Sequence, residues 1–110
     1  MRARVLVVDD KENILKLFER VLEGGDFDVK TAGDGTRALG MLAAGDFDVV
    51  VTDIRMPGAD GMTVLREAKR LFPDIEVVLM TAYGSAASAV EAMKAGAYDY
   101  LSKPFDPDEA

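Results

Sequence analysis

Two hydrophobic periods alternate along this chain. Short runs of Val, Leu and Ile mark strands, and apolar residues spaced three or four apart mark helices. Strands are predicted near 4–9, 28–32, 48–53, 76–81 and 98–102, and helices near 11–23, 35–44, 61–71 and 85–95. Ile14, Phe18, Val21 and Leu22 form the expected inner face of the first helix. Ala38, Leu39 and Leu42 do so for the second, and Leu65, Ala68 and Phe72 for the third. The candidate anchors of the fourth are mostly small: Ala86, Ala89, Val90 and Met93. Burying alanine yields little beside the roughly 1.5–3 kcal/mol of a Leu-sized side chain. The fourth helix is therefore expected to be weakly held and suited to move. Met41, Met56, Met62, Met80 and Met93 read as packing residues. Asp34, Asp60 and Ser85 stand where helices should start, and Gly24, Gly45 and Gly96 where they should stop.

Strand and helix alternate throughout, which predicts an α/β, doubly wound, parallel sheet of the flavodoxin-like kind. The first, third and fourth strands are nearly continuous apolar runs, as strands buried on both faces should be. The second (DVKTA) and fifth (YDYLS) mix polar with apolar, as edge strands do. Right-handed crossovers then favour the order 2-1-3-4-5, with the switch point between the first and third strands. A length of 110 residues fits one domain, spanning 1–110. The terminal DPDEA reads as a helix start, with Asp106 as N-cap, Pro107 at the first position and Glu109 completing a capping box. A truncated fifth helix is expected there, leaving one edge of the sheet poorly covered. Any output domain is expected to be absent from these residues.

Composition narrows the chemistry. Hydrophobic content of 49% and charged content of 30% fit a soluble domain, and the cytoplasm is the expected location. No apolar run approaches the ~20 residues of a membrane helix. The opening MRARVLVVDD meets acid too soon for a signal peptide. The chain has no cysteine and no histidine, which removes disulfides, thiolate chemistry and the usual general base. A bound metal would be a hard cation on oxygen ligands, such as magnesium, calcium or manganese. The net charge of −7 offers no footprint for nucleic acid.

Polar residues follow four of the strand runs directly: Asp9 and Asp10 after VLVV, Asp53 after VVVT, Thr81 after EVVLM, Lys103 after YDYLS. Ligands of open parallel sheets bind beyond the carboxyl ends of the strands. Taken singly, each residue has a plainer reading. Asp10 could cap the first helix, Asp53 could merely end a strand, Thr81 could be a β-branched strand residue, and Lys103 a surface lysine. Tyr100 alone reads as a packing aromatic. Together, the three carboxylates repel strongly unless a cation or protons compensate. Magnesium binds through one or two carboxylates, keeps waters and accepts phosphate oxygens. Lys103 precedes Pro104, and a cis X-Pro bond can aim a side chain back across a strand end.

The motifs VLVVDD, VVTDIRMPGADG, VVLMTAYG and GAYDYLSKPF, in this order and spacing, resemble those of the receiver domain of two-component response regulators. The likeness covers essentially all 110 residues. The segment from Thr81 to Phe105 looks most like regulators of the NtrC type. The resemblance implies that Asp53 is the phosphoacceptor, taking its phosphoryl group from a sensor histidine kinase. It implies that Asp9 and Asp10 hold Mg2+ or Mn2+ with Asp53, Asp10 more directly, and that the Arg55 carbonyl is a further ligand. Thr81 and Lys103 would contact the phosphoryl group, with the Lys103–Pro104 bond cis to turn the ammonium toward Asp53, and Tyr100 matches the family's switch aromatic. Arg55 and Tyr83 would rim the site and influence water access. The domain would be a signalling device rather than an enzyme, assisting its own phosphorylation and dephosphorylation. Its fourth helix and fifth strand would switch an attached ATPase and DNA-binding module for transcription, and could pair two receivers.

Other readings compete. A flavodoxin-like cofactor binder needs a phosphate-cradling loop after the first strand, but Asp9-Asp10-Lys11-Glu12 would repel phosphate unless a metal intervenes. A phosphatase of the haloacid dehalogenase type needs an acid two residues after its nucleophile, where this chain has Arg55. A receiver-like module that is never phosphorylated would not need all five polar positions filled.

Overall fold

The computed structural model describes residues 3–56, 58–81 and 86–102, without the side chains of 86–89 and 102. Strand and helix alternate as β1 (Ala3–Val8), α1 (Glu12–Glu23), β2 (Phe27–Ala32), α2 (Gly35–Ala44), β3 (Val49–Asp53), α3 (Gly61–Leu71), β4 (Glu76–Thr81), α4 (Ala86–Lys94) and β5 (Asp99–Ser102). The strands form one parallel five-stranded sheet in the order β2-β1-β3-β4-β5. This is the order expected from the apolar runs. The switch point lies between β1 and β3, where Val5 pairs with Val49 and Val8 with Thr52. The expected fifth helix falls outside the described residues.

Two cores flank the sheet. On one face Leu6, Val8, Val50, Val77 and Leu79 meet Ala38 and Leu42 of α2, Val64, Leu65 and Ala68 of α3, and Ala92 of α4. On the other, Val5, Val7, Val51 and Met80 meet Ile14 of α1. Asp34 and Asp60 start their helices as expected, accepting the backbone N–H of Arg37 at 2.7 Å and of Thr63 at 2.9 Å. Ser85 lies outside the described residues. Gly96, with φ 105°, turns the chain from α4 toward β5 in the left-handed region that glycine tolerates.

Two helix faces differ from expectation. Val21 shares the side of α1 that carries Ile14, two turns earlier, yet it is 64% exposed. No described element packs over it, and Val49 and Val78 on the same sheet face are only half-buried. On α4 the anchor is Ala92, fully buried, while Val90 and Met93 are 53% and 49% exposed. Ala92 seats the helix on the core, and Ala95 and Ala97 in the turn after it join the same cluster. Met93 is thus a surface residue; Met80 is buried, and Met41, Met56 and Met62 pack partly against the core. Among the described residues no helix is long and apolar enough to cross a membrane.

Candidate functional site

The site begins where β1 and β3 end side by side. Hydrogen bonding to the neighbouring strands continues past both ends. Asp9 N–H donates to the Ala32 carbonyl at 3.1 Å, and Ile54 N–H to the Met80 carbonyl at 3.0 Å. The backbone therefore stays ordered through Asp9 and Asp53. Asp9 is fully buried, Asp53 is 5% exposed, and Asp10 faces solvent. One carboxylate oxygen from each lies within 4.8 Å of the others. Such an all-oxygen set of carboxylates fits magnesium or manganese.

Asp10 does not cap α1. The N-cap position is Lys11, whose side chain makes no capping bond. Asp9 Oδ1 accepts the Lys11 N–H at 2.9 Å. Asp9 thus orients the turn and the acidic cluster at once, while Asp10 is left to solvent and to whatever binds there.

Behind Asp53, α3 starts very close to the strand end. A Cβ at Gly61 would stand 2.2 Å from the Asp53 carbonyl oxygen, so only glycine allows this approach. Gly61 N–H donates to the Ile54 carbonyl at 2.8 Å, closing the turn that carries exposed Arg55. The sequence signal for this contact was the Asp60-Gly61 pair at the helix start, which was read only as a cap. Thr52 adds a hydroxyl that donates to the Asp53 carbonyl at 3.0 Å.

Thr81 ends β4 and is 3% exposed. Asp53 pairs with Met80, so Thr81 stands one residue beyond it on the adjoining strand. Tyr100 pairs with Leu79 on β5 and packs against the same core cluster. Strand alternation puts Thr81, two residues after Leu79, on that face. The Tyr100 hydroxyl is buried without a hydrogen-bond partner among the described residues. Lys103, Pro104 and Tyr83 lie outside the described residues, and so does the expected cis bond. Far from the site on α3, Arg70 hydrogen-bonds Glu67 and holds its carboxyl below the ordinary range.

A doubly wound parallel sheet with an acidic cluster at its switch point is what the resemblance to receiver domains implied, and sequence comparison shows the family. The model of the response regulator receiver domain matches residues 5–110, and the chain belongs to that family. It is 44% identical over 109 residues to the DNA-binding transcriptional regulator NtrC of Escherichia coli strain K12, covering 99% of this chain and 23% of that protein. A response regulator receiver domain protein from Clostridium thermocellum superimposes with a TM-score of 0.85 at 38% identity, over 97% of this chain and 86% of its own. A Burkholderia pseudomallei response regulator, solved with a phosphorylated aspartic acid, calcium ion and citrate, matches with a TM-score of 0.87 at 31% identity, over 97% of this chain and 63% of its own. The domain is thus a two-component receiver of the NtrC-like kind. It spans about a quarter of the length of the curated relatives it matches.

Proposed function

We propose that Asp53 accepts a phosphoryl group from the phosphohistidine of a sensor histidine kinase, with Mg2+ or Mn2+ as cofactor. The observation that carries this reading is the convergence of Asp9, Asp10 and Asp53 within 4.8 Å at the switch point. The solved relative with a phosphorylated aspartic acid and a calcium ion supports it. Asp9, Asp10, Asp53 and the Arg55 carbonyl hold the cation. When bound, it neutralises the cluster and the charge on the transferring phosphoryl oxygens.

The chain's own residues divide the remaining work. An Asp53 oxygen attacks phosphorus, forming a P–O bond as the P–N bond of the donor breaks. The bonding electrons leave with the imidazole, which takes up a proton. Asp53 reacts as the carboxylate, so the chain needs no general base, in keeping with its lack of histidine. Thr81 donates its hydroxyl to a phosphoryl oxygen, and Lys103 places its ammonium beside another. Attack by water later returns phosphate and free Asp53, so the domain assists its own reset.

The output is a change of surface. Val90, Met93, Tyr98 and Leu101 on α4 and around β5 are 53%, 49%, 65% and 36% exposed, an apolar face on the element held by alanines. The aspartyl phosphate offers Thr81 a charge-assisted bond, and Thr81 shares a face with Tyr100. A bond of this kind contributes about 1.5–3 kcal/mol. Moving a two-state equilibrium from 1:99 to 99:1 takes about 5.5 kcal/mol. Lys103 and the cation must therefore also favour the active state, or the switch is partial. The altered face pairs two receivers or acts on attached ATPase and DNA-binding modules, which would sit beyond this single receiver domain in the cytoplasmic full-length protein. The chain's own charge of −7 leaves any DNA contact to those modules.

Incubation with acetyl phosphate and magnesium, read by intact mass, tests the reading. One added phosphoryl group is expected, absent with EDTA. A wild-type chain that stays unlabelled at every magnesium concentration would refute it.

A further inference from the structure

Two segments distant in sequence meet at unusually short range, at the same strand-end edge of the sheet as the acidic cluster. They are the first turn of α2 and the far limb of the loop joining β3 to α3. A Cβ at Gly35 would lie 1.7 Å from the Ala59 carbonyl oxygen. A Cβ at Gly58, whose φ is +77°, would lie 2.4 Å from Thr36 Oγ1. Thr36 Oγ1 also accepts the Ala59 N–H at 3.3 Å. Two glycines thus make room for a seat, and one hydroxyl ties the loop into it. The near limb of the same loop is anchored by Ile54 N–H on the Met80 carbonyl and by Gly61 N–H on the Ile54 carbonyl. Arg55 follows Ile54 directly, between the near anchor and the seat.

We propose that Gly35 and Thr36 are positioning residues for the cation site, acting through this loop. The proposal rests on the reading above, in which the Arg55 carbonyl is a cation ligand. Asp9, Asp10 and Asp53 are placed by strand ends and their immediate turns, so their position does not depend on α2. The Arg55 carbonyl comes from a loop whose path between β3 and α3 is set partly by what it rests on. Magnesium demands near-ideal octahedral geometry and short ligand distances, whereas calcium accepts variable geometry. A small shift of one backbone ligand should therefore weaken magnesium more than calcium.

That selectivity separates positioning from bulk stability. Calorimetric titration of the full chain with MgCl2 and with CaCl2, for wild type, Thr36→Val, Thr36→Ser and Gly35→Ala, provides the test. Thr36→Val keeps the shape and removes the acceptor. It should weaken magnesium by up to about two- to twelvefold, the worth of one ordinary hydrogen bond, and calcium less. Thr36→Ser should restore wild-type binding. Gly35→Ala should weaken magnesium further, since its methyl cannot share space with the Ala59 carbonyl. Labelling by acetyl phosphate in Thr36→Val should need more magnesium to reach half its maximal rate, with the maximal rate recovered at saturation. If Gly35→Ala does not fold, the two Thr36 variants decide alone. Equal magnesium affinity in wild type and Thr36→Val, an equal loss for both cations, or failure of serine to rescue would each overturn the proposal. Wild type that binds no magnesium would instead overturn the parent reading.

Discussion

Removing one carboxylate from the acidic cluster should stabilise the metal-free domain. Asp10→Asn is the cleanest perturbation, because Asp10 is exposed and does not cap α1. Its oxygen lies within 4.8 Å of those of Asp9 and Asp53. At that separation two unit charges repel by about 0.9 kcal/mol in water's dielectric, and by more at the lower values near a protein surface. Asp10 can swing into solvent, and salt screens what remains, so about 1 kcal/mol of relief is expected for the two pairs together. For a domain of this size that raises Tm by about 4 °C. Magnesium reverses the ranking. A ligand bound only by the native state stabilises it by about 2.7 kcal/mol at a hundredfold excess over Kd. Asp10→Asn, with a weakened site, gains less. Thermal melts of both proteins in EDTA and in a magnesium series should therefore cross. Added sodium chloride should shrink the difference in EDTA. An Asp10→Asn protein that melts below wild type in EDTA would refute the repulsion argument, since no lost cap is available to explain the loss.

The buried Tyr100 hydroxyl without a described partner carries a desolvation penalty of about 1–3 kcal/mol. Tyr100→Phe should thus raise the metal-free Tm, and a clear fall would show that the hydroxyl is satisfied in solution. Asp60 accepts from both the N–H and the hydroxyl of Thr63 at 2.9 Å. Asp60→Ala should cost about 1 kcal/mol in urea unfolding, and no measurable loss would mean the cap is replaced by water.

Local pattern made most of this fold legible. The strand order followed from which runs were apolar throughout and which were mixed, because burial on one or both faces leaves a direct mark on composition. Asp34 and Asp60 were legible as caps because a cap needs only its own next three residues. Asp9, Asp10 and Asp53 could be brought together because β1 and β3 flank the switch point. What local pattern could not reveal was contact. Val21 has the spacing of a core residue, yet its burial depends on an element opposite it. Val90 and Met93 looked like anchors, but α4 sits on Ala92 instead. The plainer reading of Asp10 as a cap gave way because α1 starts one residue later, with Lys11 at the N-cap position. The seat formed by Gly35, Thr36, Gly58 and Ala59 joins positions more than 20 residues apart, and no local signal announces such a meeting.

The central claim is that one carboxylate, Asp53, takes the phosphoryl group. Borohydride reduction of the acetyl phosphate-treated chain, followed by peptide sequencing in the mass spectrometer, tests it most directly. Reduction converts an aspartyl phosphate to homoserine and marks the residue that carried it. The mark should fall at position 53 alone, require magnesium, and vanish in Asp53→Asn. A mark on Asp9, Asp10 or any other carboxylate of the wild-type chain, or labelling that persists in Asp53→Asn, would contradict the assignment.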